Sequence, residues 1–121
     1  MNNKNNICVI GLGYVGLPLS IELSKHFNTI GFDRDKKRIK YLKNKIDYTN
    51  EITSKVLKSS KISFIDNEKK IENSNIYIIA VPTPVNKKKL PDLKNMINAT
   101  KLIARFLNPK DLVIYESTVY P

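Results

Sequence analysis

Short apolar runs alternate along this chain with stretches in which apolar residues recur every three or four positions. Ile7–Ile10 is a run of strand length that stops at Gly11. From Tyr14 to about Phe27 the residues Val15, Leu19, Leu23 and Phe27 recur every fourth position, which predicts a helix. Gly16, Ser20 and Ser24 add a stripe of small residues suited to close packing on a sheet. Pro18 is compatible with this helix, because a residue in the first turn has no intrahelical N–H bond to lose. Thr29–Phe32 reads as a second strand, ended by Asp33. Asp35 to about Lys45 follows as a basic amphipathic helix with Ile39, Leu42 and Ile46 on one side.

The second half continues the alternation. Asp47 to Ser60 gives a loop with a short helix, and Ile62–Ile65 a weaker third strand. Ile76–Val81 is unbroken and apolar, as expected of a central parallel strand buried on both faces. Pro82 to Pro91 is a loop with three prolines and the run Lys87–Lys89. Asp92 is placed to cap a helix carrying Leu93, Met96, Ile97, Thr100, Ile103, Ala104 and Leu107, which Pro109 stops. Leu112–Tyr115 is the last strand. Strands alternating with helices over short connections predict a parallel sheet covered by helices. Neither an internal repeat nor a linker interrupts the pattern, so residues 1–121 are expected to form one domain.

Composition narrows the classes. A chain of 121 residues, 41% hydrophobic, supports one folded core. Met1 to Asn6 is polar and the run after it is too short for a signal core or a membrane span, so a cytoplasmic location without a membrane partner is expected. Cys8, the one cysteine, lies inside the first apolar run and reads as a buried core residue. The net charge of +10 comes mainly from lysine, which supplies eighteen of the 21 basic residues. That favours solvated faces, with attraction of a polyanionic ligand such as a dinucleotide or nucleotide-sugar as the sharper alternative. No nucleic-acid partner is expected.

Chemistry concentrates where strands end. Gly11-Leu12-Gly13-Tyr14-Val15-Gly16 matches GxGxxG between a strand and a helix, the context in which that pattern has meaning. Gly11 suits the tight turn, Gly13 lets backbone approach a pyrophosphate, and Gly16 lets helix pack on strand. The phosphate would sit at the helix N-terminus, where free N–H groups and the helix dipole favour an anion. The fold class that follows is α/β: a Rossmann-type doubly wound parallel sheet in three αβα layers, with about five strands. Asp33 lies 22 residues after Gly11, where an acid accepts hydrogen bonds from the adenosine ribose. A ribose 2′-phosphate about 4 Å from it would be repelled by roughly 4 kcal/mol per unit charge at an effective dielectric near 20, which favours NAD over NADP. Arg34, Lys36, Lys37 and Arg38 stand close enough in sequence to offset that repulsion. Thr83, between Pro82 and Pro84, and Thr118, after Glu116 and Ser117, also follow strands directly. Either alone is what an ordinary strand exit looks like. Together with the glycine turn and Asp33 they converge on one edge of a parallel sheet, where open α/β sheets bind ligands.

The stretches VIGLGYVGLPLS, GFDRDKKRI, VPTP with PDL shortly after, and VIYESTVYP closely resemble the N-terminal domain of the UDP-glucose/GDP-mannose dehydrogenase family, from Ile7 to Pro121. The ESTVYP ending, with PTP and PDL before it, is more similar to the branch that oxidises UDP-N-acetylhexosamines than to the UDP-glucose branch. The resemblance implies NAD contacts for Tyr14 and Val15 at the helix start, beside Gly11, Gly13 and Gly16. It implies that Asp33 and Arg38 hold the adenosine ribose, and that Thr83 and Thr118 line the nicotinamide side. Thr118 would also help position a catalytic water. Asn75 departs from an aspartate common in the family before the central strand, at a capping position.

The family reaction is a four-electron oxidation of the sugar C6 alcohol to a carboxylate by two hydride transfers to NAD, for surface polysaccharide synthesis. A catalytic cysteine, a lysine, an asparagine and acidic residues serve it, all further along a family chain than Pro121. Cys8 on the first strand and His26 at the end of the first helix do not stand in for them. No metal ligand set is apparent. The expectation is a truncated cofactor domain, inactive alone, whose UDP-sugar substrate contacts and homodimeric or higher assembly belong to the full-length enzyme. The alternative is a non-catalytic NAD-sensing module.

Overall fold

The computed structural model describes residues 5–116, and the structural statements that follow concern those residues. Five strands form one sheet: β1 (Asn6–Ile10), β2 (Asn28–Phe32), β3 (Ser63–Ile65), β4 (Ile76–Ile79) and β5 (Leu112–Tyr115). Their order is β3-β2-β1-β4-β5 and every pairing is parallel. The order reverses at β1: the chain winds outward to β3 on one side, then returns to β4 and β5 on the other. A crevice opens at such a reversal, beyond the C-terminal ends of the strands.

Side chains on a strand alternate faces, and β1 supplies both cores in this way. Ile7 and Val9 face a cluster that includes Leu12, Leu17, Ile21, Ile39, Leu42 and Leu57. Cys8 and Ile10 face the opposite cluster, with Phe32, Ile71, Tyr77, Ala99 and Ile103. The first core is covered by α1 (Gly16–Ser24), α2 (Lys36–Lys43) and α3 (Ser54–Ser59). The second is covered by α4 (Lys94–Ala104) and by a 3-10 helix, Glu68–Asn73, which the hydrophobic pattern did not announce. Ile71 is the one buried residue of that short helix, too little for a period to register. Its carbonyl accepts from the hydroxyl of Tyr77, which is fully buried.

The helices differ in detail from the sequence expectation. α1 begins at Gly16, after a turn at Tyr14 and Val15, and ends at Ser24 rather than Phe27. Its buried face is the small-residue stripe Gly16, Ser20 and Ser24, joined by Leu17 and Ile21. The stripe spaced by four is the flank instead: Val15 and Phe27 are exposed, and Leu19 and Leu23 half-buried. Ser20 and Ser24 fit the core because each hydroxyl donates to a carbonyl three residues back. On α2, Ile46 lies beyond the helix and is exposed, whereas Arg38 is buried beside Ile39 and Leu42. On α4 the cap position is Leu93, with no side-chain bond, although the Asp92 carboxylate accepts from the Lys94 N–H. The buried residues of α4 are Ala99 and Ile103, while Leu93, Ile97, Ala104 and Leu107 stay exposed. Asn75 does the work of a capping acid, its side-chain oxygen accepting from the Asn6 N–H at 2.8 Å.

Candidate functional site

A cleft of about 880 Å³ runs along the C-terminal edge of the sheet. Its floor is the β1 exit, Ile10 to Gly13, with Phe32 and Asp33 from β2 and Val81 and Pro82 after β4. One wall is the start of α2 with Tyr48 and Thr49, and the other is α4 with residues 66–69. The volume is at the upper end of the range for small-molecule pockets.

The glycine turn has two kinds of glycine. Gly11 has φ +97, in the left-handed region, and a Cβ there would stand 2.8 Å from the Ala80 carbonyl carbon and the Val81 nitrogen. A Cβ on Gly16 would overlap the Gly11 carbonyl oxygen. These two belong to the fold, since they let α1 start directly against the β1 exit. Gly13 is different: a Cβ there meets nothing within 4 Å. Gly13 also lines the cleft. The start of α1 carries neither a side-chain cap bond nor an acid in its first turn. A helix start left so suits a pyrophosphate.

Asp33 and Arg38 meet at one residue of this turn. The Leu12 N–H donates to Asp33 Oδ2 at 2.9 Å, and the Leu12 carbonyl accepts from Arg38 Nε at 2.8 Å. Asp33 Oδ1 accepts from the Asp35 N–H, which fixes the carboxylate at the cleft while each oxygen keeps a free lone pair. Arg38 Nη1 donates to Asp47 Oδ1 at 2.7 Å, with both side chains almost wholly buried. Burial alone would raise the Asp47 pKa. The Thr49 hydroxyl, Arg38 and the Ile52 and Thr49 amides overcome that and hold it down to about 2. Asp47 escaped the sequence reading, and its signal is slight: an aspartate two residues before a threonine in a loop, the pattern of a side chain that accepts from the backbone just ahead.

Of the residues named from sequence, Gly11, Gly13, Asp33 and Arg38 line the cleft. Gly16 lies buried beneath it. Tyr14 and Val15 form the exposed turn before α1. Thr83 is half-buried one residue beyond Pro82, where the floor of the cleft ends. Its loop is folded back on itself by a Val85–Pro91 bridge and by Asn86, whose side chain accepts from Lys88 and Leu90. Thr118 lies outside the described residues. Cys8 is buried on β1 with its thiol pKa pushed up by desolvation. His26 is exposed at the far end of α1, 4.0 Å from Glu22. Among the described residues no three His, Cys, Asp or Glu side chains gather as a metal site, and no helix is long and apolar enough to cross a membrane.

Residues 5–121 match the model of the NAD-binding domain of the UDP-glucose/GDP-mannose dehydrogenase family. The chain is 44% identical over 118 residues to protein CapL of Staphylococcus aureus, covering 98% of this chain and 28% of that protein. It is 48% identical over 116 residues to UDP-N-acetyl-D-glucosamine 6-dehydrogenase of Salmonella typhi, covering 95% and 27%. Among solved structures, UDP-D-ManNAc dehydrogenase of Pyrococcus horikoshii superposes with a TM-score of 0.82 at 30% identity, covering 96% of this chain and 29% of the other. The chain thus spans less than a third of the length of these relatives. It belongs to the UDP-glucose/GDP-mannose dehydrogenase family, and what it carries is that family's NAD-binding domain.

Proposed function

We propose that the chain is the cofactor-holding part of a cytoplasmic nucleotide-sugar 6-dehydrogenase, which oxidises the C6 alcohol of a UDP-N-acetylhexosamine to a carboxylate for surface polysaccharide synthesis. The observation that carries this reading is the pairing of an open glycine, Gly13, with a carboxylate fixed at the same turn, Asp33, inside one cleft. The substrate class is supported by the relatives named as N-acetylhexosamine dehydrogenases at up to 48% identity.

In this reading the α1 start and the Gly13 backbone receive the pyrophosphate. Asp33 accepts from the ribose hydroxyls, and Arg38 donates there. Tyr14 and Val15 flank the pyrophosphate, while Thr83 and Thr118 stand on the nicotinamide side, where Thr118 helps position water. Bound NAD supplies the hydride acceptor. The catalytic nucleophile, the sugar contacts and the surfaces for homo-oligomeric assembly belong to the longer proteins of the family. The test is calorimetric titration of the chain with NAD and NADP, in wild type and Asp33→Ala. NAD binding that exceeds NADP binding, and that weakens in the variant, is the expected result. Equal binding of both cofactors to wild type would remove Asp33 from its assigned role.

A further inference from the structure

Arg38 is a cation built into the wall of the cleft, 3% exposed. Nε donates to Leu12 and Nη1 to Asp47. Nη2 is buried without a partner among the described residues. The guanidinium lies 4.7 Å from the centre of the Tyr48 ring, so it is fixed in plane as well as in place. Asp47 in turn accepts from the Thr49 N–H and hydroxyl and from the Glu51 and Ile52 N–H groups. This set can be satisfied only by a carboxylate, which accepts on both oxygens.

The position of the pair matters because Arg38 and Asp33 grip opposite ends of the same residue, Leu12. An unpaired guanidinium there would sit beside the ribose end of the cleft in a poorly screened setting, where it would draw a second negative group toward Asp33. The other nearby cations differ in kind. Arg34 is exposed, with a long 3.4 Å bond to Asn95, and Lys36 is exposed at the start of α2. Solvent screens both.

We infer that Asp47 is a specificity-determining residue: by occupying Arg38 in a buried ion pair it keeps the ribose end of the cleft from accepting a 2′-phosphate. This rests on the assignment of the cleft to NAD. The ligand class selected is a dinucleotide with free ribose hydroxyls, and the class rejected is its 2′-phosphorylated counterpart. Asp47 acts through Arg38 and is in that sense a positioning residue.

The experiment is calorimetric titration of NAD and NADP into the chain and into Asp47→Asn, Arg38→Met and the Arg38→Met/Asp47→Asn double variant. The quantity read is the ratio of the two dissociation constants. Asp47→Asn frees the Arg38 charge and shifts the ratio toward NADP by about tenfold, for a unit charge felt across roughly 8–10 Å of partly screened protein. Arg38→Met leaves Asp47 alone and shifts the ratio the other way. The double variant changes no net charge and keeps the ratio within about threefold of wild type; it also keeps the test available should a single variant fail to fold, since removing a whole buried pair is tolerated better than removing half. A purely structural role would weaken both cofactors alike and leave the ratio still. A ratio unmoved in folded single variants, or displaced about tenfold in the double variant, overturns the inference while NAD binding stands. Absence of NAD binding to wild type overturns the assignment of the cleft and this inference with it.

Discussion

Gly16→Ala tests the idea that one glycine of the turn belongs to the fold. The added methyl would overlap the Gly11 carbonyl oxygen and stand 2.8 Å from its carbon, with Ala80 Cβ at 3.3 Å. The first two neighbours are backbone and cannot rotate away. Gly11 is itself pinned, its N–H donating to the Phe32 carbonyl at 2.9 Å. Relief therefore requires α1 to lift off β1, which disturbs the buried contacts of Leu17 and Ile21. Overpacking of this kind costs about 1–3 kcal/mol, and an immovable neighbour favours the upper part of that range. The gain in helix propensity from Gly to Ala is at most about 1 kcal/mol and smaller at the first residue of a helix. The net loss is about 2 kcal/mol, on the order of 10 °C in Tm for a domain of this size. Urea unfolding followed by far-ultraviolet circular dichroism measures it. A variant as stable as wild type would show that α1 does not need Gly16 for its approach to the turn.

Two further outcomes follow from buried polar groups. Asp47 has a folded pKa of about 2 against an ordinary value near 3.8, so its contribution is complete above about pH 4 and is lost as pH falls through 2. That contribution is about 2 kcal/mol. Wild type should therefore lose about that much more stability than Asp47→Asn between pH 6 and pH 2, and parallel losses in urea titrations at the two pH values would contradict it. Tyr77→Phe removes a hydroxyl that donates to the Ile71 carbonyl, which keeps the Ser74 N–H as a donor, and should cost about 0.5–1.5 kcal/mol in the same unfolding assay, an unchanged midpoint being the contrary result.

The parts of the fold that were legible in the sequence are those decided by periodicity and by glycine. All five strands stand within one or two residues of where the apolar runs place them, and the clearest is the block Ile76–Ile79, a central strand buried on both faces. The glycine turn and Asp33 were legible because their spacing is dictated by the length of a βαβ unit. The stripe Gly16, Ser20 and Ser24 was legible as the packing face of α1, and each serine fits there because its hydroxyl bonds to its own helix; the apolar residues spaced by four mark the flank instead. Arg38 was read as a charge near Asp33 and, through the resemblance, as a ribose contact, with no sign that it is buried. Its burial depends on Asp47, nine residues on and in a loop, and no periodicity links the two. The apolar residues around α4 mark a helix, but such a pattern does not say which side meets the sheet: Ala99 and Ile103 are buried, while Leu93, Ile97 and Leu107 are exposed.

The central claim is that the open side of the glycine turn is where the dinucleotide's phosphates lie, and Gly13→Ala tests it most directly. The methyl meets no protein atom within 4 Å, and Gly13 does not have the positive φ seen at Gly11. Stability should stay within about 0.5 kcal/mol of wild type, as for a substitution free of strain. The dissociation constant for NAD should rise at least about tenfold, the methyl standing where backbone must approach the pyrophosphate. A stably folded Gly13→Ala chain that binds NAD as tightly as wild type would contradict the account.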